Sequence, residues 1–133
     1  MEFERKKMTV IVPHPDDEVL GAGGTISLYS SLGWEISALV VSGHLPPLYT
    51  KKEFEITQNE YKQAAKIIGV KKTKFLELPA TKIHETPISN LNESLSKFVI
   101  ENDPSILLIP FPDRHVDHKL IFEASMVISR PVK

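Results

Sequence analysis

Hydrophobic positions along the chain follow two rhythms that take turns. Short runs rich in apolar and β-branched residues occupy Met8 to Val12, Trp34 to Val41, Lys74 to Leu78 and Ser105 to Ile109, bounded by Pro, Gly or Ser as buried strands are. Between them the apolar residues recur at helical spacing. Ile26, Leu28, Tyr29 and Leu32 form one such face before Gly33, Phe54, Tyr61, Ala64, Ala65 and Ile68 a second before Gly69, and Ile88, Leu91, Leu95, Phe98 and Val99 a third before Pro104. A glycine just past the last apolar position is where a helix favours a left-handed residue. A fourth helix is predicted from Val116 toward Arg130, and residues 44–52, with Pro46 and Pro47, and 79–87 are predicted as loops.

Strict alternation of buried-type strands with helices predicts an α/β fold: a Rossmann-like three-layer sandwich around a mainly parallel sheet. Parallel strands need crossovers, and each crossover helix must bury its apolar stripe against the sheet. Neither an internal repeat nor a composition shift divides residues 1–133, which are expected to form one domain. In open sheets of this kind, ligands bind beyond the carboxyl ends of the strands. That directs attention to the segments following the first and fourth strands.

Composition narrows the partners. The chain has 133 residues, 41% hydrophobic and 25% charged, with a formal charge of -1 and no long block of either sign. Nothing draws it to nucleic acid or an anionic membrane, so a small molecule is the expected partner. No apolar run approaches a membrane span, and the run after Arg5, Lys6 and Lys7 is cut by Pro13, too soon for a signal-peptide core. The absence of cysteine excludes disulfides and thiolate chemistry and suits a cytoplasmic location.

The first strand runs into Pro13-His14-Pro15-Asp16-Asp17-Glu18, and the fourth into Asp113-Arg114-His115-Val116-Asp117-His118. If the sheet is parallel, both clusters meet at one edge. Imidazole and carboxylate are the ligands zinc takes in hydrolytic sites, as three protein groups and an open position, and a carboxylate left over can remove a proton from bound water. Each cluster has a plainer explanation. Asp16, Asp17 and Glu18 suit the first turn of any helix, where carboxylates meet the positive end of the dipole, and His115 and His118 alone would be exposed histidines at a helix start. Their joint position at one edge favours a site. His44 and His84 are expected to be ordinary loop histidines, with His44 near enough to strand two to border a pocket.

Gly21, Gly23 and Gly24 offer a competing reading as a phosphate-binding loop. The spacing fails: a dinucleotide fingerprint would need a third glycine where Ile26 stands, and an acidic residue where Ser42 ends strand two. The glycines are instead expected to let the first helix pack closely beneath the site.

Taken together, the two segments resemble the family of GlcNAc-phosphatidylinositol de-N-acetylases and their LmbE-like bacterial relatives. The similarity extends to Gly21-Ala22-Gly23-Gly24, to Glu60, Ala64, Ala65 and Gly69, and to Phe75-Leu76 with Leu78-Pro79. It implies one zinc per chain held by His14, Asp17 and His118, with ferrous iron as the other divalent candidate. It further implies that Asp16 is the general base, that His115 steadies the oxyanion or assists the leaving amine, and that Asp113 and Asp117 orient the histidines. The implied reaction is hydrolysis of the acetamide of an N-acetylated amino sugar conjugate. Thr57 stands where many relatives carry a sugar-binding arginine, and Ser42-Gly43-His44 replaces their Thr-Asp-Gly, so no substrate-binding residue is assigned. Relatives also run further, which makes the fold C-terminally truncated relative to the family and leaves a sheet edge through which a homo-oligomer would form. Two alternatives stay open: a Rossmann-like module binding a sugar or nucleotide, and a catalytically silent zinc-binding fragment.

Overall fold

In a computed structural model, residues 5–130 are described; residues 1–4 and 131–133, the ends of the expected domain, lie outside them. Four strands, β1 (Lys7–Val12), β2 (Glu35–Gly43), β3 (Lys72–Pro79) and β4 (Ile106–Leu108), form a parallel sheet in the order β3-β2-β1-β4. Four α-helices connect or follow them: α1 (Asp17–Ser31), α2 (Lys51–Ile68), α3 (Ile88–Asn102) and α4 (Val116–Ile128). A single 3-10 turn at Ile83–Glu85 interrupts what the sequence pattern predicts as plain loop.

Side chains alternate across the pleat, and the two faces bury different helices. Met8, Val10 and Val12 of β1, with Ile36, Ala38 and Val40 of β2, pack with Ile26 of α1 and Tyr61 and Ala65 of α2. Ile11, Leu39 and Val41 pack on the other face with Leu91, Leu95 and Phe98 of α3 and Ile121 and Ala124 of α4. This is the three-layer α/β sandwich the alternation predicts. Each fully buried Leu, Ile or Phe here stabilises the fold by about 1.5–3 kcal/mol relative to exposure. On the α3–α4 face, buried Thr9 and Ser37 satisfy each other through a 2.8 Å hydroxyl hydrogen bond between adjacent strands.

Local caps set both ends of α2. Helix α2 begins at Lys51, earlier than its first apolar residue, because Thr50 accepts the Glu53 N–H while the Glu53 carboxylate accepts the Thr50 N–H, a reciprocal capping box. Its other end is set by Gly69 at φ 96°, with the Gly69 N–H bonded to the Ala65 carbonyl. A Cβ at Gly69 would lie 2.1 Å from Ser30 Oγ and 2.5 Å from Ser30 Cβ, so α1 and α2 meet here at glycine distance. Gly69→Ala is therefore expected to lower unfolding stability by about 2–4 kcal/mol, combining left-handed strain with overpacking. Urea denaturation would measure it.

The expectation for Gly21, Gly23 and Gly24 is corrected. A Cβ at Gly21 or Gly24 would meet nothing within 4 Å, and one at Gly23 would touch only Val19 of the same helix at 3.7 Å. Ala22 in this stretch packs against the sheet core, but the Cβ positions of Gly21 and Gly24 face open space. All three glycines lie inside α1, since the helix already starts at Asp17.

Candidate metal centre

From β1, the chain continues to β2 on one side and β4 lies on the other, so the crevice beyond β1 and β4 is where the order of connection reverses. Pairing between the two strands stops at Val10 with Leu108, after which residues 109–115 diverge from β1 and the crevice opens. Ser42 pins the near wall, its peptide N–H and its hydroxyl both donating to the Pro13 carbonyl at 2.8 Å. The segment 13–18 is thereby held against the end of β2 just before the turn into α1.

The structure brings His14, Asp17 and His118 together. His14 Nδ1 lies 3.4 Å from Asp17 Oδ2 and 3.3 Å from His118 Nε2, and His118 Nε2 lies 3.4 Å from Asp17 Oδ2. Three donors form a nearly equilateral triangle. A tetrahedral ion with bonds of about 2.0–2.1 Å would place its ligands about 3.3–3.4 Å apart, so these three atoms match one face of a zinc tetrahedron and could hold such an ion.

The ring nitrogens facing away from the triangle are also engaged. His14 Nε2 is 2.8 Å from Asp117 Oδ2, and His118 Nδ1 is 2.8 Å from Asp113 Oδ2. A carboxylate at the distal nitrogen fixes the tautomer and makes the proximal nitrogen a better ligand. Asp117 is fully buried, and its Oδ2 also accepts the Thr81 N–H at 2.7 Å, so the loop after β3 helps to set the ring of His14. Thr81 gave no signal in the sequence, because its contribution is a peptide N–H and not a side chain. Asp113 is exposed and also accepts the His115 N–H at 2.8 Å.

Charge balance in the triangle follows from these contacts. Burial alone would lower the proton affinity of His14, but hydrogen bonds to Asp17 and Asp117, and their charges, outweigh it and raise its pKa above the ordinary imidazole value. Burial would raise Asp17, but the His14 ring and peptide and the charge of His118 bring its carboxyl below the usual range. Asp16 behaves differently: burial, and then the negative charge of Asp17, push it up, partly offset by His14, His44 and His118.

Asp16 stands beside the triangle without belonging to it. It occupies the N-cap position of α1 at φ 115°, ψ −25°, and makes no capping bond with its side chain. Its carboxylate borders a cavity of about 360 Å³ between α1 and α2, walled by Pro15, Glu18, His44, Thr57, Glu60 and Tyr61. His44, expected to be a loop histidine near enough to strand two to border a pocket, lines this wall: its Nδ1 lies 3.0 Å from Thr57 Oγ1 and its ring 4.2 Å from that of Tyr49. A second cavity of about 510 Å³, bounded by α1 and β4, is reached by Asp17 and His118. His84 lies in the 3-10 turn, exposed.

His115 is the N-cap of α4, with its ring Nδ1 accepting the Asp117 N–H at 3.1 Å. The helix therefore places the ring proton on Nε2, leaving that N–H as a donor. The ring stacks on His118 at 4.8 Å between centroids and meets His14 edge-on at 4.7 Å. His14, Asp17, Asp113, His115, Asp117 and His118 are thus linked by direct contacts, while Asp16 faces the neighbouring cavity between α1 and α2.

Known proteins resemble the chain along most of its length. The family described as PIG-L, GlcNAc-PI de-N-acetylase, matches residues 9–129. An uncharacterized deacetylase YaiS from Escherichia coli is 30% identical over 138 residues, covering 97% of this chain and 71% of the relative. Diacetylchitobiose deacetylase from Thermococcus kodakarensis is 29% identical over 123 residues, covering 86% of this chain and 45% of the relative. Among solved structures, N,N'-diacetylchitobiose deacetylase from Pyrococcus horikoshii superposes with a TM-score of 0.83 at 27% identity, over 94% of this chain and 49% of the other. The chain thus spans roughly half to two-thirds of such relatives. A hydratase from a pseudomonad shares the fold at a TM-score of 0.78 and 18% identity, a likeness of fold alone.

Proposed function

Because the chain belongs to the GlcNAc-PI de-N-acetylase (PIG-L) family, we propose that it carries the catalytic centre of a zinc-dependent hydrolase that removes the acetyl group from an N-acetylated amino sugar. The observation that carries this reading is the triangle of His14, Asp17 and His118, with both histidines backed by carboxylates and Asp16 left free beside it. Relatives whose names specify a diacetylchitobiose or a glucosaminyl malate as substrate support an N-acetylglucosaminide as the class.

A zinc ion held by these three residues would polarise the acetamide carbonyl and make a bound water more acidic, and ferrous iron would fit the same donors. Asp16 takes the proton from the attacking water. Its raised proton affinity suits that task, since a carboxylate well below the working pH is a poor base. Asp113 and Asp117 keep the histidine rings turned to the triangle. His115 donates its Nε2–H to the carbonyl oxygen as negative charge grows there, because its other nitrogen is committed to the α4 cap.

That division of labour in His115 separates two effects experimentally. Asparagine is a good N-cap but does not reach as far, so His115→Asn is expected to retain the α4 cap and bound metal while kcat falls on the order of 10²–10³-fold. Steady-state kinetics with metal analysis would check it. The reading as a whole is tested by measuring zinc per chain and acetate released from N,N'-diacetylchitobiose and from N-acetylglucosaminides. One zinc with acetate release is expected; one zinc with no release from any acetamide would leave a silent metal-binding domain, and no zinc at all would overturn the site.

A further inference from the structure

Glu18 is the buried carboxylate that the proposed chemistry does not use. It lies in the first turn of α1, 1% exposed, and its Oε1 has no hydrogen-bond partner among the described residues. Its Oε2 accepts the Asp16 peptide N–H at 3.1 Å. A glutamate is rarely buried to this degree unless its polar atoms serve something nearby.

What lies nearby is the strained peptide of Asp16. An N-cap residue normally adopts an extended conformation and folds its side chain back onto the first turn. Asp16 does neither: it stands at φ 115°, which an L residue keeps only when its surroundings hold it, and its side chain makes no cap bond. Its carbonyl accepts the Val19 and Leu20 N–H groups at 3.0 Å each, as any helix start would arrange. The turn is also closed by the Asp17 N–H on the His14 carbonyl at 3.3 Å and by the His14 N–H on Asp17 Oδ2 at 2.9 Å, but the bond to Glu18 is the one that engages the Asp16 N–H itself. Glu18 also borders both cavities, the one reached by Asp17 and His118 and the one reached by Asp16, so it stands behind the wall between them.

We propose that Glu18 is a positioning residue for the base: its carboxyl oxygen holds the Asp16 peptide in the left-handed turn that frees the Asp16 carboxylate for catalysis. This rests on the reading of Asp16 as the base. An acceptor oxygen is present whether Glu18 is ionised or protonated, so the holding depends on the oxygen and not on the charge.

Glu18→Gln keeps an acceptor at the same reach, whereas Glu18→Met keeps the length and buried volume without one. The first readout uses metal-free protein and needs no turnover: hydrogen exchange of the Asp16 amide by NMR. It is expected to be protected in the natural sequence and in Glu18→Gln, and to exchange at least about tenfold faster in Glu18→Met, as a lost hydrogen bond allows. The second readout is kinetic with zinc-loaded protein. Glu18→Met is expected to lose on the order of 10–100-fold in kcat at unchanged KM and unchanged zinc content, with Glu18→Gln within roughly threefold of the natural sequence, the scale of a misplaced catalytic group. An Asp16 amide already unprotected in the natural sequence would overturn the proposal without any variant, even if Glu18→Met failed to fold. So would a glutamine variant as impaired as the methionine one, or a methionine variant with full kcat. If no acetamide is hydrolysed by the natural protein, the proposed function fails, while the exchange measurement still decides whether Glu18 holds this turn.

Discussion

With Asp16 replaced by asparagine, acetamide hydrolysis is expected to fall roughly 10³-fold in kcat, within the 10²–10⁴-fold range typical of a general base, while bound metal stays at its natural level. The two parts of that result follow from different contacts. Asp16 shares no atom with the triangle of His14 Nδ1, Asp17 Oδ2 and His118 Nε2, so its loss leaves three ligands in place. Asparagine is nearly the same size and tolerates positive φ better than most residues, so the turn at φ 115° survives. Only the ability to take a proton disappears. Kinetics and metal analysis on the same preparation would check both parts; full activity would remove Asp16 from the role of base, and metal loss would show that it helps to build the centre.

Much of this site is legible in the sequence. The strand–helix alternation implies a parallel sheet, a parallel sheet puts every strand's carboxyl end on one edge, and that suffices to bring residues 13–18 and 113–118 together across about a hundred positions. The family resemblance implied Asp113 and Asp117 as groups orienting the histidines; in the structure Asp117 lies 2.8 Å from His14 Nε2 and Asp113 2.8 Å from His118 Nδ1. What could not be read were contributions made by the backbone. Thr81 supports Asp117 through a peptide N–H, and the left-handed turn at Asp16 depends on a φ angle that no residue type there announces. The glycine run misled for a related reason. Glycine spacing signals that something close could be accommodated but not that it is present, and at Gly21 and Gly24 the space is open. Gly69, where a close neighbour is present, looked like a simple helix terminus.

Removal of one ligand is expected to act on metal and activity together, and the carboxylates behind the ligands provide the calibration. His118→Ala deletes one of three donors and should leave a protein that no longer retains stoichiometric zinc through dialysis, with hydrolysis down on the order of 10⁴-fold or more as several kcal/mol of polarisation vanish. Asp113→Ala keeps the imidazole but frees its Nδ1, so zinc should bind with affinity reduced about 10–100-fold, and activity should return when zinc is added in excess. The pH dependence has a definite sign. His14 holds its proton more tightly than an ordinary imidazole in the metal-free protein, and a ligand nitrogen must be free of its proton to bind. Zinc uptake should therefore release a proton, and apparent affinity should weaken progressively as pH falls below the raised His14 pKa. Competition titration with a chelator at several pH values would measure it. An affinity that is flat through that range, or a His118→Ala protein that keeps its zinc, would mean that the metal is held elsewhere and that the triangle is a hydrogen-bonded cluster.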